Sequence, residues 1–141
     1  MDDMKRAAAR LYFEVFGKGD LGAADEILAP DCVSHAADAP VQVGTDGLKA
    51  QAILLRTAIP DLRVTLEDQV AEGDRVASRW TGSGTNSGEL RFPGRIVAPT
   101  GRSISFGEMR IDRFENGLIV ESWFIPDRLS LWQQLGLLPA Q

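Results

Sequence analysis

The chain has one histidine, His35, and one cysteine, Cys32, and this scarcity limits its chemistry. A Ser-His-Asp or Cys-His arrangement would have to run through His35. One cysteine cannot close an intrachain disulfide, and with one histidine it falls short of the usual zinc ligand sets. Cys32 lies in an apolar setting and reads as inert. Carboxylates are plentiful, with 20 acidic residues against 15 basic ones and a net charge of −5. Proton transfer by a carboxylate in an apolar cavity is the chemistry that stays open. A pI near 4.8 without clustered Lys and Arg argues against nucleic acid or an anionic membrane surface as partner. Gly82-Ser83-Gly84 lacks the following Lys-Ser/Thr and helix onset of a phosphate loop.

Such groups need elements to hold them. The 141 residues, 44% of them hydrophobic, suffice for one domain with a real core. No apolar run is long enough to span a membrane, and MDDMKRAAAR lacks a signal-peptide core, so the expectation is a soluble cytoplasmic protein. Residues 3–16 read as an amphipathic helix with Ala8, Leu11, Tyr12, Val15 and Phe16 on one stripe. Gly17 and Gly19 stop it, and Asp20 can cap a second helix, Leu21 to Leu28, that Pro30 prevents from continuing. Thr45 can cap a third helix carrying Leu48, Ala52, Leu55 and Ile59.

From Leu62 the period changes to two. Leu62 to Glu67 and Arg75 to Thr85 form a hairpin, with Val76, Ser78 and Trp80 on one face. Residues 86–101 read as a loop with a short strand around Leu90 and Phe92. Arg102 to Phe114 and Leu118 to Ile125 form a second hairpin around Asn116-Gly117, a strong local hairpin signal. Asp127 to Gly136 closes the chain as a short helix. Helices followed by strands argue an α+β fold, with helices on one face of a curved sheet and a pocket between them.

Several segments carry a resemblance: Gly17-Lys18-Gly19-Asp20, Leu28-Ala29-Pro30-Asp31, His35, Ile59-Pro60-Asp61-Leu62, Glu72-Gly73-Asp74-Arg75-Val76, Asn116-Gly117 and Ile119-Val120-Glu121-Ser122-Trp123. With Pro126-Asp127 and Gln134-Leu135-Gly136, the chain resembles the SnoaL-like polyketide cyclase family of the nuclear transport factor 2-like superfamily. The likeness spans nearly the whole chain, read as a single domain over residues 1–141. It implies a cone: a strongly curved antiparallel sheet wrapped around N-terminal helices and enclosing a cavity. It also implies intramolecular aldol condensation on a polyketide ester without metal or organic cofactor, a small hydrophobic ligand, and a homodimer.

The resemblance points to Asp127, after the last long strand, as acid/base, although Pro126-Asp127-Arg128-Leu129-Ser130 equally reads as a helix N-cap. It puts His35 in a loop beside the ligand. Trp80 reads as a pocket wall, while Tyr12 and Trp123 could orient an aromatic substrate or simply fill the core. Asn86 and Ser122 stand where relatives carry histidine, and Asn86 keeps hydrogen bonding without acid-base ability. On the strand 105–114, Met109 and Ile111 are expected to face the cavity and Glu108, Arg110 and Asp112 the solvent. The reverse would make Glu108 and Arg110 a buried pair with catalytic potential. Isomerase, dehydratase or epoxide-hydrolase chemistry, and a non-catalytic ligand-binding dimer, are the alternatives. A carboxylate with an adjacent donor inside the cavity favours catalysis; an apolar lining favours binding.

Overall fold

The computed structural model describes residues 2–37, 39–92 and 94–138. The first helix is α1 (Asp2–Arg10), which widens into a π-helical segment, Leu11–Phe16. This widened turn buries Leu11, Tyr12, Val15 and Phe16 together. Helix α2 (Leu21–Ile27) starts at Asp20, whose carboxylate accepts from the Ala23 N–H as the sequence predicts. Helix α3 (Asp46–Ala58) follows Thr45, but that side chain makes no capping hydrogen bond.

Six strands build the main sheet. These are β1 (Leu28–Ala36), β2 (Gln42–Val43), β3 (Arg63–Glu72), β4 (Arg75–Thr85), β7 (Ser103–Glu115) and β8 (Leu118–Pro126), in the order β2-β1-β8-β7-β4-β3. The sheet curves around the helices as expected of the α+β cone. One seam differs from the all-antiparallel expectation, because β1 runs parallel to β8. Asn116 and Gly117 both adopt positive φ, 51° and 81°, and this turn closes the β7–β8 hairpin.

Residues 86–101 hold more structure than a loop: β5 (Leu90–Phe92) and β6 (Arg95–Val97) form a separate two-stranded hairpin. It lies against α3, where Gly88 is indispensable. A Cβ there would stand 1.8 Å from the Thr57 carbonyl oxygen, so only glycine lets the strands reach the helix. Helix α4 (Arg128–Gln134) closes the fold. Among the described residues, no helix is long and apolar enough to cross a membrane.

The core is aromatic where helix meets sheet. Tyr12 and Phe16 stack on Trp80, with ring centroids 5.3 and 5.6 Å away, and Phe106 meets Trp80 edge-on at 6.0 Å. Trp80 therefore faces inward, and the β4–β7 register decides which face of β7 follows it. Trp80 stands opposite Glu108, Ser78 opposite Arg110 and Val76 opposite Asp112. The expectation for this strand is thus reversed, with Glu108, Arg110 and Asp112 buried and Met109 and Ile111 exposed on the outer face. Alternation divides a strand into two faces, but only its neighbours decide which is inside.

Candidate active site

Successive inward positions of β7 carry an acid, a base and an acid. Glu108, Arg110 and Asp112 are 5%, 2% and 0% exposed, an unusual burial for three charged side chains. The Trp80 indole N–H donates to Glu108 Oε1 at 3.1 Å, and Arg110 Nη1 lies 3.5 Å from the same oxygen. Arg110 Nη2 donates to Asp112 Oδ1 at 3.4 Å, and the Ser122 hydroxyl donates to that oxygen at 2.6 Å. Tyr12 enters from the π-helical turn. Its hydroxyl, Arg110 Nε and Nη1, and Asp112 Oδ2 are all buried without a hydrogen-bond partner. Buried polar atoms are normally satisfied, so this concentration marks a place suited to a polar ligand.

The environment shifts these groups strongly. Burial pushes the Glu108 carboxyl above the ordinary range, opposed by the Arg110 charge and the Trp80 hydrogen bond. Burial likewise raises Tyr12, and the field of Asp112 adds to it. Burial opposes the Arg110 charge, but Asp112 and Glu108 outweigh it and hold the guanidinium protonated. Arg110 is shared between the two carboxyls, 3.5 Å from Glu108 Oε1 and 3.4 Å from Asp112 Oδ1.

One end of the curved sheet forms the mouth of the cone. A pocket of about 270 Å³ lies there between α3, the β5–β6 hairpin and α4, lined by Leu54, Leu55, Leu90, Phe92 and Leu131. Its inner wall is Phe124 on β8, whose ring lies 4.8 Å from the Arg110 guanidinium carbon. Phe92 packs edge-on against Trp132 of α4 at 5.8 Å, which joins the hairpin to the closing helix.

Of the residues singled out in the sequence, Trp80 and Tyr12 converge on this row. Asn86 is buried too, but its side chain is spent on backbone. Its Nδ2 donates to Gly88 O at 2.9 Å, and its Oδ1 accepts from the Thr100 N–H at 3.1 Å and hydroxyl at 2.7 Å, tying both ends of the hairpin segment together. Met109 does not line the cavity: it is 62% exposed on the outer face, because β7 turns its charged side inward.

His35 and Trp123 meet, although not at the row. His35 lies on β1 rather than in a loop, with its ring stacked on Trp123 at 5.5 Å and its Nε2 2.8 Å from Glu121 Oε2. Arg75 covers the Trp123 ring at 5.1 Å. The His35 hydrogen bond holds Glu121 below the ordinary carboxylate range, with Arg113 assisting. Asp127 is the N-cap of α4: its Oδ1 accepts from the Ser130 N–H at 3.1 Å, and the residue is exposed. The sequence shows the row as three charges at alternate positions of one strand, with a buried Glu108–Arg110 pair as the alternative to the solvent-facing expectation. Among the described residues, no cluster of three His, Cys, Asp or Glu could hold a metal ion.

The family model for SnoaL-like polyketide cyclases matches residues 6–135. IdmH, a candidate polyketide cyclase from Streptomyces antibioticus, is 35% identical and superposes with a TM-score of 0.78, covering 94% of this chain and 98% of its own. AclR, a candidate hydroxylase from Streptomyces galilaeus, is 30% identical with a TM-score of 0.84, covering 99% and 89%. TsrD from Streptomyces laurentii is 29% identical with a TM-score of 0.82, covering 97% of both chains. No protein of curated function matches the chain.

Proposed function

This chain belongs to the SnoaL-like polyketide cyclase family, and on that premise we propose that it is an acid/base enzyme for intramolecular aldol ring closure of a small hydrophobic polyketide ester. The observation that carries the proposal is Glu108, a buried carboxyl with its pKa raised by burial, beside the donors of Trp80 and Arg110. An interior holding a carboxyl with adjacent donors favours catalysis over simple binding.

Each step has a group available for it. Ionised Glu108 takes a proton from the carbon beside a carbonyl, and its raised pKa makes it a stronger base than a solvated carboxylate. The enolate oxygen is held by buried donors that make no hydrogen bond within the protein, Arg110 Nη1 and the Tyr12 hydroxyl. Preorganised donors in a dry site contribute about 3 kcal/mol each to such a transition state. The enolate carbon then attacks a second carbonyl, forming the ring bond, and Glu108 returns its proton to the new alkoxide. The product has the mass of the substrate.

A second reading is supported by Arg110 facing inward between two carboxyls, an arrangement that suits epoxide hydrolysis. One carboxylate would take a proton from water as its oxygen attacks an epoxide carbon, and an acid would protonate the departing oxygen. That product gains the mass of one water, which separates the two readings. The groove on the outer face, about 390 Å³ and lined by Val70, Met109, Ile111 and Ile125, supports a homodimer.

The test of the leading reading follows ligand identification by native mass spectrometry. The wild type should exchange the substrate's α-proton for deuterium in D₂O and, in H₂O, close the ring without change of mass. Glu108→Gln should bind the same compound but lose exchange and closure at least 100-fold. Exchange at the wild-type rate in Glu108→Gln would overturn the assignment.

A further inference from the structure

The inward face of β8 places Phe124 directly across the β7–β8 ladder from Arg110. Its ring lies 4.8 Å from the guanidinium carbon on one side and forms the inner wall of the mouth pocket on the other. Arg110 is 2% exposed, yet its Nε and Nη1 lack hydrogen-bond partners. Glu108 and Asp112 balance the charge of the arginine, and the Phe124 ring covers its face without offering a partner to Nε or Nη1. On the mouth side Phe124 is flanked by small residues, Ala36 and Ala39, which border about 270 Å³ of open pocket. Open space for the ring therefore lies on the mouth side.

We propose that Phe124 is the gate of the site and its size-determining residue: a ligand reaches Arg110 only by displacing this ring, and the ring's bulk sets how large a molecule the closed pocket admits. The proposal rests on the reading that the buried row is the reactive centre, but its geometry is independent of which reaction occurs there. A ligand entering from the mouth meets Leu54, Leu55 and Phe92 first, then the Phe124 ring, and only afterwards the donors of Arg110. The guanidinium exchanges its contact with the ring for hydrogen bonds to a ligand oxygen, so displacement of Phe124 and engagement of the polar row are a single event.

Phenylglyoxal, which modifies arginine side chains, tests the gate on the whole purified protein without turnover. Modification of Arg110 is followed over time by peptide mass spectrometry in the wild type, Phe124→Ala, Phe124→Leu and Phe124→Trp. Cys32, the sole cysteine, is 3% exposed, and its reaction with a thiol reagent reports opening of the whole fold. Arg110 should react at least ten-fold faster in Phe124→Ala, to an intermediate degree in Phe124→Leu, and more slowly than wild type in Phe124→Trp, with Cys32 unchanged. Arg110 rates within two-fold across the series would overturn the gate. A parallel rise in Cys32 reactivity would equally overturn it, by assigning the exposure to general loosening. Should Phe124→Ala fail to fold, the Leu and Trp variants carry the same comparison. The acid/base assignment is read separately, by α-proton exchange in Glu108→Gln, so failure of the gate and failure of that assignment give different results.

Discussion

Arg110→Met is the sharpest test of the buried row, because methionine keeps much of the side-chain volume and removes only the charge and its donors. Arg110 lies 3.5 Å from a Glu108 oxygen and 3.4 Å from an Asp112 oxygen. At an effective dielectric constant of about 20, each contact is worth roughly 5 kcal/mol before desolvation. Most of that is offset by the cost of burying the charges, and removing one partner of a buried pair typically destabilises by about 3–5 kcal/mol. With an unfolding entropy of about 2.1 cal/mol/K per residue, the melting temperature should fall by roughly 10–17 °C at pH 7.5.

The loss should depend on pH. Burial raises the Glu108 carboxyl and the Arg110 charge opposes that rise, so without the guanidinium Glu108 binds its proton in the folded state at pH values where the unfolded chain has released it. Stability of the variant therefore rises as pH falls from 7.5 toward about 5, and the gap to wild type narrows. Differential scanning calorimetry across that range measures it. Placing Arg110→Met in a Glu108→Gln, Asp112→Asn background should reduce its cost to about 1 kcal/mol, because no carboxyl remains to be stranded. A drop of less than about 3 °C in the single variant, or the same drop at pH 5 and pH 7.5, would refute the reasoning.

Asp127→Asn should keep the melting temperature within about 2 °C, since asparagine caps as well as aspartate, whereas Asp127→Ala should cost about 1 kcal/mol. Loss of ring closure in Asp127→Asn despite intact stability would restore that carboxylate as an acid/base candidate. His35→Ala should raise the Glu121 pKa toward its ordinary value, because the hydrogen bond to His35 is the main cause of its lowering. The stability Glu121 contributes in the wild type is present above about pH 4.3 and lost as pH falls through its lowered folded value, so the variant should lose it at higher pH. A carbon-detected NMR titration of the Glu121 carboxyl reads this directly. Met109→Asp with Ile125→Asp puts two charges in the outer groove and should reduce the mass by analytical ultracentrifugation to one chain. A wild type that already sediments as a single chain would remove the homodimer from the proposal.

Much of the fold was legible because its signals are local. The Asn116-Gly117 turn needs positive φ at both positions and adopts it, and the Asp20 cap forms where a short oxygen-bearing side chain precedes a helix. The β5–β6 hairpin was harder to read, since its strands are three residues each and rely on α3 and the Asn86 cross-links to stay in place. The parallel β1–β8 seam was not legible at all, because it joins segments far apart in the chain and no turn announces it.

The site shows the same division. Composition by itself determined that carboxylates far outnumber the one histidine and one cysteine as candidates for proton transfer, since residue types are countable without a fold. Alternation along 105–114 determined that Glu108, Arg110 and Asp112 share one face and Met109 and Ile111 the other. Which face lies inside was decided only by tertiary structure. Two-residue periodicity is symmetric between the faces of a strand, and it was Trp80, packed against Tyr12 and Phe16 and set opposite Glu108, that turned the charged face inward.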